Sequence, residues 1–330
     1  MLCDSIQTLK SLSRNVLRFV AILGFAIVLG GNVWGADEPE IPTPTEVTLE
    51  TKDNVALHCT FYGGFLKKKA VPFMLVHGWE GNRGDFERLA LELQKRGHAA
   101  ITIDLRGHGD SIHFKGNDEK KIDPTRMNAN DIRNATFDLE AAKKYLMERN
   151  NNGELNIDSL AVIAAKEGAI PALLWSANDW SYPQLPNLRQ GQDVKCIFLL
   201  SPVLSFKGAT AQPALTHRAI AKELSLFSVA GKKDTKSSAD AKRMHTELAK
   251  HRRSTTGGVA ELEEQFKAAA AKESKKDALD FFYDTEETNL AGASLVNTAG
   301  LKTFGWMLKF VKLRLVDRGE DFPWTNRQRP

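Results

Sequence analysis

Short runs of almost unbroken apolar residues recur along the chain, separated by longer stretches whose apolar residues fall at helical spacing. The runs are 71–78 (VPFMLVHG), 98–110 (HAAITIDLRGHGD), 159–164 (SLAVIA), 194–200 (VKCIFLL), 224–231 (LSLFSVAG) and 278–283 (ALDFFY). Runs of this length without alternation predict strands buried on both faces, as in a parallel sheet. Helices are predicted from Gly84 to Arg96, with Phe86, Leu89, Leu91 and Leu93 among the apolar residues, and from Asp131 to Met147, with Ile132, Leu139, Ala142 and Leu146 on one side. Further helices are predicted over Ser238 to Lys250 and Leu295 to Val316. Segment 46–63 (EVTLETKDNVALHCTFYG) differs, because two alternating runs flank the polar turn Thr51 to Asn54, the pattern of a β-hairpin. Strands alternating with helices imply an α/β domain with a mainly parallel central sheet of about eight strands and helices on both faces.

No internal repeat or second apolar core interrupts residues 46–318, which are read as one domain. Residues 259–276 form an Ala/Glu/Lys-rich helical insertion expected on the surface, and 319–330 a C-terminal tail. Only about 20 residues separate the runs ending at Leu200 and beginning at Leu224, fewer than the roughly 50 of a separate lid domain.

The first 36 residues change the picture. Lys10, Arg14 and Arg18 precede the apolar stretch Phe19 to Gly31, and small residues at Val33 and Gly35 suit cleavage before Ala36. About 13 apolar residues are too few to span a bilayer, which takes roughly 20. A signal peptide over 1–36, a Pro/Glu-rich linker over 37–45 and export to a periplasmic or extracellular space are therefore expected. The alternative is an uncleaved N-terminal membrane anchor, the one route to a membrane. The formal charge of +4 is spread among mixed acids and bases, which argues against a nucleic-acid partner. Cys59 and Cys196 lie within separate predicted strands and are read as buried hydrophobes rather than a disulfide.

Candidate chemistry gathers where strands end. HGWEG (His77 to Gly81) closes one strand, DLRGHGDS (Asp104 to Ser111) another, and a strand–turn–helix runs through Ala164 to Gly168 (AAKEG). AGKKD brings Asp234 to the end of a fourth. In order and spacing these motifs resemble the α/β-hydrolase fold family, in particular its serine-aminopeptidase and esterase-like members. The resemblance implies a catalytic elbow at Ala164 to Gly168 and a triad acid at Asp234. It also implies an oxyanion hole from the main-chain N–H groups of Trp79 and Glu167, with His77 a turn residue of the same loop.

Two departures follow. Lys166 stands where the nucleophilic serine belongs, and no histidine occurs after His251, where the family's base is found. The loop instead carries Glu286, Glu287 and Asn289. With nucleophile and base both missing, the acyl-transfer mechanism has nothing to act through. A degenerate, ligand- or partner-binding member is therefore expected, with no cofactor. The alternatives are a rearranged hydrolase using Ser201 or Ser111 with His77 or His108, and a lysine enzyme acting on carbonyl compounds. His77, Glu80, His108, Asp110 and Asp234 lack the compact spacing of a metal site. Lys166 is expected to keep the strained elbow with positive φ and to pair with Asp234, joined by Glu286 or Glu287.

Overall fold

The structure, a computed structural model, describes residues 40–183, 185, 189–252, 257–271 and 280–327. The targeting segment expected over 1–36 lies outside them. Among the described residues no helix is long and apolar enough to cross a membrane.

Eight strands form the main sheet: β1 (Thr45–Glu50), β2 (Ala56–Tyr62), β3 (Pro72–Val76), β4 (Ala99–Ile103), β5 (Leu160–Ala165), β6 (Val194–Leu200), β7 (Ser225–Gly231) and β8 (Phe281–Glu286). Their spatial order is β1-β2-β4-β3-β5-β6-β7-β8. β1 and β2 are the antiparallel hairpin, turning at Asn54 in the left-handed region (φ 64°), and β2 meets β4 antiparallel. All remaining pairings are parallel.

Alternation along β3 divides the interior. Met74 and Val76 join one core, with Ile101, Val162, Ile197 and Leu226, while Phe73 and Leu75 join the other, with Ile163, Phe198 and Phe227. The first core is covered by α2 (Ala129–Asn134), α3 (Thr136–Asn151) and α4 (Ala169–Ser181), through Ile132, Leu139, Leu146, Ile170 and Leu173. The second is covered by α1 (Glu87–Gln94) and, after α5 (Thr235–Ala249) and α6 (Val259–Ala270), by α7 (Thr303–Val311). There Phe310 packs edge-on against Phe227 and Phe282, with ring centroids 5.5 and 5.8 Å away. The predicted helix over Asp131 to Met147 is two helices that meet at Ala135, started by a capping box of Asn128 and Asp131. The one predicted over Leu295 to Val316 is likewise broken, at Gly300, whose φ of 90° no helix accommodates.

α6 buries only Leu262 and keeps its other side chains partly or fully exposed, the surface helix expected of the insertion. Residues 322–327 strap back onto the pole of the sheet opposite the elbow. The Arg327 side chain is buried and pairs with Asp158 and Asp193, and Asp193 also pairs with the buried Lys143 at 2.9 Å. Lys143 contacts Asp179 in turn, so fixed charges close the pole where β5 and β6 begin.

Candidate functional site

β5 ends at Ala165, and a single 3-10 turn, Lys166–Gly168, leads into α4. The reversal is abrupt because α4 is seated on the preceding loop. A Cβ on Gly168 would lie 2.2 Å from the carbonyl oxygen of His77, so only glycine permits that approach. Lys166 absorbs the turn with φ 47°, a conformation costing a non-glycine residue about 1–3 kcal/mol. The strained elbow is retained without the serine it would present.

The lysine side chain is guided rather than loose. A Cβ added at Gly78 would meet its Cβ at 2.9 Å, and one added at Gly292 would meet its Cγ at 3.3 Å, so two glycines form a slot around the aliphatic stem. The exposed end reaches a polar cleft of about 390 Å³ shared with Glu80, Asp85, Ala293, Ser294 and Asn297. Among the described residues Lys166 makes no ion pair or side-chain hydrogen bond. The pairing expected with Asp234 is not formed. Asp234 instead caps α5, its carboxylate accepting the Ser237 N–H at 3.3 Å, and it is partly exposed, so no buried charge calls for a cation. The expected help from Glu286 and Glu287 is also absent. Glu286 accepts from the main chain of Lys302 and Thr303 and from the Thr303 hydroxyl, capping the start of α7, while Glu287 pairs with Lys232 on the surface.

On the other side of the elbow Glu167 turns back toward the glycine loop. Its Oε2 accepts the main-chain N–H of Trp79 at 3.1 Å. That N–H is the donor expected from the resemblance to face an oxyanion, and here a carboxylate of the protein itself occupies it. Trp79 is held by His108 and Phe206, at centroid distances of 4.7 and 4.9 Å, and Lys207 Nζ lies 4.4 Å from its ring.

Neither His77 nor His108 is hydrogen-bonded to a serine hydroxyl. His77 is fully buried, accepts the Leu105 N–H on Nε2 at 3.0 Å and donates from Nδ1 to the Gly78 carbonyl at 2.6 Å. Burial, helped by neighbouring His108, lowers its pKa to about 4, so it is neutral with both nitrogens engaged. His108 is also lowered by burial and donates from Nδ1 to the Arg106 carbonyl. Arg106 is tied to Asp138 and Asp53. Ser111 accepts the His58 N–H, and Ser201, although strained at φ 51°, is fully buried with its hydroxyl unpartnered. Two serine–histidine contacts among the described residues escaped the sequence: Ser228 Oγ lies 3.0 Å from His245 Nε2, and the exposed Ser181 Oγ lies 3.2 Å from His217 Nε2. Ser228 and His245 are buried, and His245 stacks on Phe281 at 4.0 Å, so that pair belongs to the core. His217 accepts the Ala219 N–H on Nδ1 and so donates from Nε2 to Ser181. Among the described residues no cluster of three or more His, Cys, Asp or Glu could hold a metal ion.

Residues 67–273 match the family model described as serine aminopeptidase, S33. The chain belongs to that family. The match spans the glycine loop, the elbow and Asp234, and ends before β8, where the family's histidine would follow. Among solved structures the chain is similar to an esterase of Pyrococcus furiosus, at 13% identity and a TM-score of 0.55, covering 83% of this chain and 93% of that one. It is also similar to a dienelactone hydrolase of Anabaena variabilis, at 15% identity and a TM-score of 0.50, covering 82% and 96%. These likenesses support the α/β-hydrolase fold. No curated protein matches the chain.

Proposed function

We propose that this serine-aminopeptidase-family chain is a catalytically degenerate member that uses its cleft to bind a small molecule. The observation that carries the reading is the contact of Glu167 with the Trp79 N–H, which fills the oxyanion position from within. Around it, Lys166 replaces the nucleophile, Asp234 is a helix cap, and the histidines near the elbow are buried and neutral. No single restoration repairs such a site, because nucleophile, base and oxyanion donor act as a unit. A cleft nevertheless remains, with a volume in the range of small-molecule sites, roughly 300–1,000 Å³. We further propose export, on the basic segment and apolar core of residues 1–36.

The rearranged-hydrolase alternative would need an accessible serine beside a basic histidine. Ser201 is buried, His77 is engaged at both nitrogens, and His217 beside the exposed Ser181 already accepts the Ala219 N–H on Nδ1, so none of them supports it. The test is turnover of short-chain esters and aminoacyl anilides by the wild type and by Lys166→Ser. Neither protein is expected to exceed the buffer rate. Wild-type turnover lost in Lys166→Ala would overturn the reading.

A further inference from the structure

The cleft beside the elbow holds opposite charges that do not meet. The Lys166 stem passes the slot between Gly78 and Gly292 and the residue lines the cleft, while Asp85 stands on the turn Arg83–Phe86 and Glu80 on the glycine loop. No ion pair joins Lys166 to either acid. The Asp85 carboxyl is raised by burial, with the charge of Lys166 acting on it in the opposite sense, so the two groups share a field without touching.

Asn297 adds a second, independent feature. Its amide nitrogen donates to the Asp85 carbonyl at 2.6 Å, and its main-chain oxygen receives Arg88, which fixes the side chain. Its side-chain oxygen is buried without a hydrogen-bond partner, although the residue lines the cleft. A buried acceptor without a donor is unfavourable, and an ammonium group would supply the missing donor.

We propose that the cleft binds a small zwitterion, its anionic group on Lys166 and its ammonium group between Asp85 and the Asn297 oxygen. The assignment rests on the reading of the cleft as a binding site and names the ligand's charge pattern. A simple anion would find Lys166 but face Asp85 and Glu80, and a simple cation would find the acids but face Lys166. A molecule carrying both charges avoids the repulsion in each case and spans the gap that the protein leaves open. The volume suits an amino acid or a short amino-carboxylate chain rather than a macromolecule.

The experiment is calorimetric titration of the full chain with glycine, 4-aminobutyrate and 6-aminohexanoate, against butyrate and butylamine as single-charge controls. At least one amino acid is expected to bind at least tenfold more tightly than both controls. Lys166→Gln and Asp85→Asn are each expected to weaken it at least tenfold. Circular dichroism confirms that each variant is folded. Butyrate binding as tightly as the amino acids would overturn the zwitterion while leaving a binding cleft. Binding of no amino acid, or affinity unchanged in either folded variant, would also overturn it. Ester turnover, measured separately, reports on the loss of catalysis alone.

Discussion

The main-chain N–H of Trp79 donates to Oε2 of Glu167 across 3.1 Å, joining residues 88 positions apart in the chain. In an acyl-transfer enzyme that N–H is kept for charge developing on the substrate, and losing one such donor costs about 10²–10³ in rate. Here the donor is satisfied before any substrate arrives. Glu167→Gln leaves an amide oxygen able to accept the same N–H, whereas Glu167→Ala exposes it. Neither variant is expected to hydrolyse esters, since nucleophile and base are still missing. Ester turnover appearing in Glu167→Ala would show that the carboxylate suppresses a competent site.

The packing of α4 against the glycine loop makes Gly168 intolerant of any side chain. Gly168→Ala would drive a methyl group into the His77 carbonyl, a clash within backbone that cannot rotate away. A loss of roughly 1–3 kcal/mol in urea unfolding is expected. Gly319→Ala, where an added Cβ meets nothing within 4 Å, serves as the control and should lie within about 0.5 kcal/mol of wild type.

Acid should destabilise the fold before its carboxylates titrate. Burial lowers His77 and His98 to about 4 and His245 to about 3, from an ordinary value near 6.5. Each is neutral when folded and takes up a proton more readily when unfolded. Stability is therefore complete above about pH 6.5 and declines as pH falls toward 4. At about 1.4 kcal/mol per pH unit, each histidine contributes roughly 3 kcal/mol to that decline. Urea unfolding free energies measured from pH 8 to pH 4 should be flat down to about 6.5 and then fall. His245→Gln should make the fall shallower, and an unchanged slope in that variant would contradict the assignment.

At the opposite pole, Arg327→Ala would leave Asp158 and Asp193 buried with less compensation. Breaking a buried pair from one side costs about 3–5 kcal/mol. Arg189, which also reaches Asp158 at 2.9 Å but is about a third exposed, should matter less. Urea unfolding of the two alanine variants tests this ranking, and equal losses would contradict it.

Cys59 and Cys196 should react with a thiol reagent only after unfolding. Both are free and buried, burial raises both thiols, and four strand spacings, about 19 Å, separate β2 from β6. Titration of these two thiols in native buffer and in urea checks this. Protection of both in urea without reductant would instead indicate a disulfide.

Much of the fold could be read from local pattern. The apolar runs 71–78, 98–110, 159–164, 194–200 and 224–231 each carry an observed strand, because a strand buried on both faces cannot alternate. The elbow was legible in the same way, down to the positive φ of Lys166, since strand and helix must join in one residue when Gly168 touches the glycine loop. The expected Lys166–Asp234 pair failed because it treated Asp234 as a charge in need of a cation. The sequence Asp234-Thr235-Lys236-Ser237, directly before a helix, already carries the signal of an N-cap, which satisfies the carboxylate locally. Glu286, at the end of β8, caps a helix sixteen residues further on, a long-range contact that no local pattern announces. The same holds for Glu167 and Trp79, which meet only once β3 and β5 pair.

Covalent labelling tests the proposed loss of a serine mechanism at this elbow. The full chain is treated with a fluorophosphonate, which reacts with an activated serine, and intact mass is recorded with an active esterase as control. Wild type and Lys166→Ser should both remain unmodified while the control gains one adduct. An adduct on wild type, mapped to Ser201 or any other serine, would contradict the account.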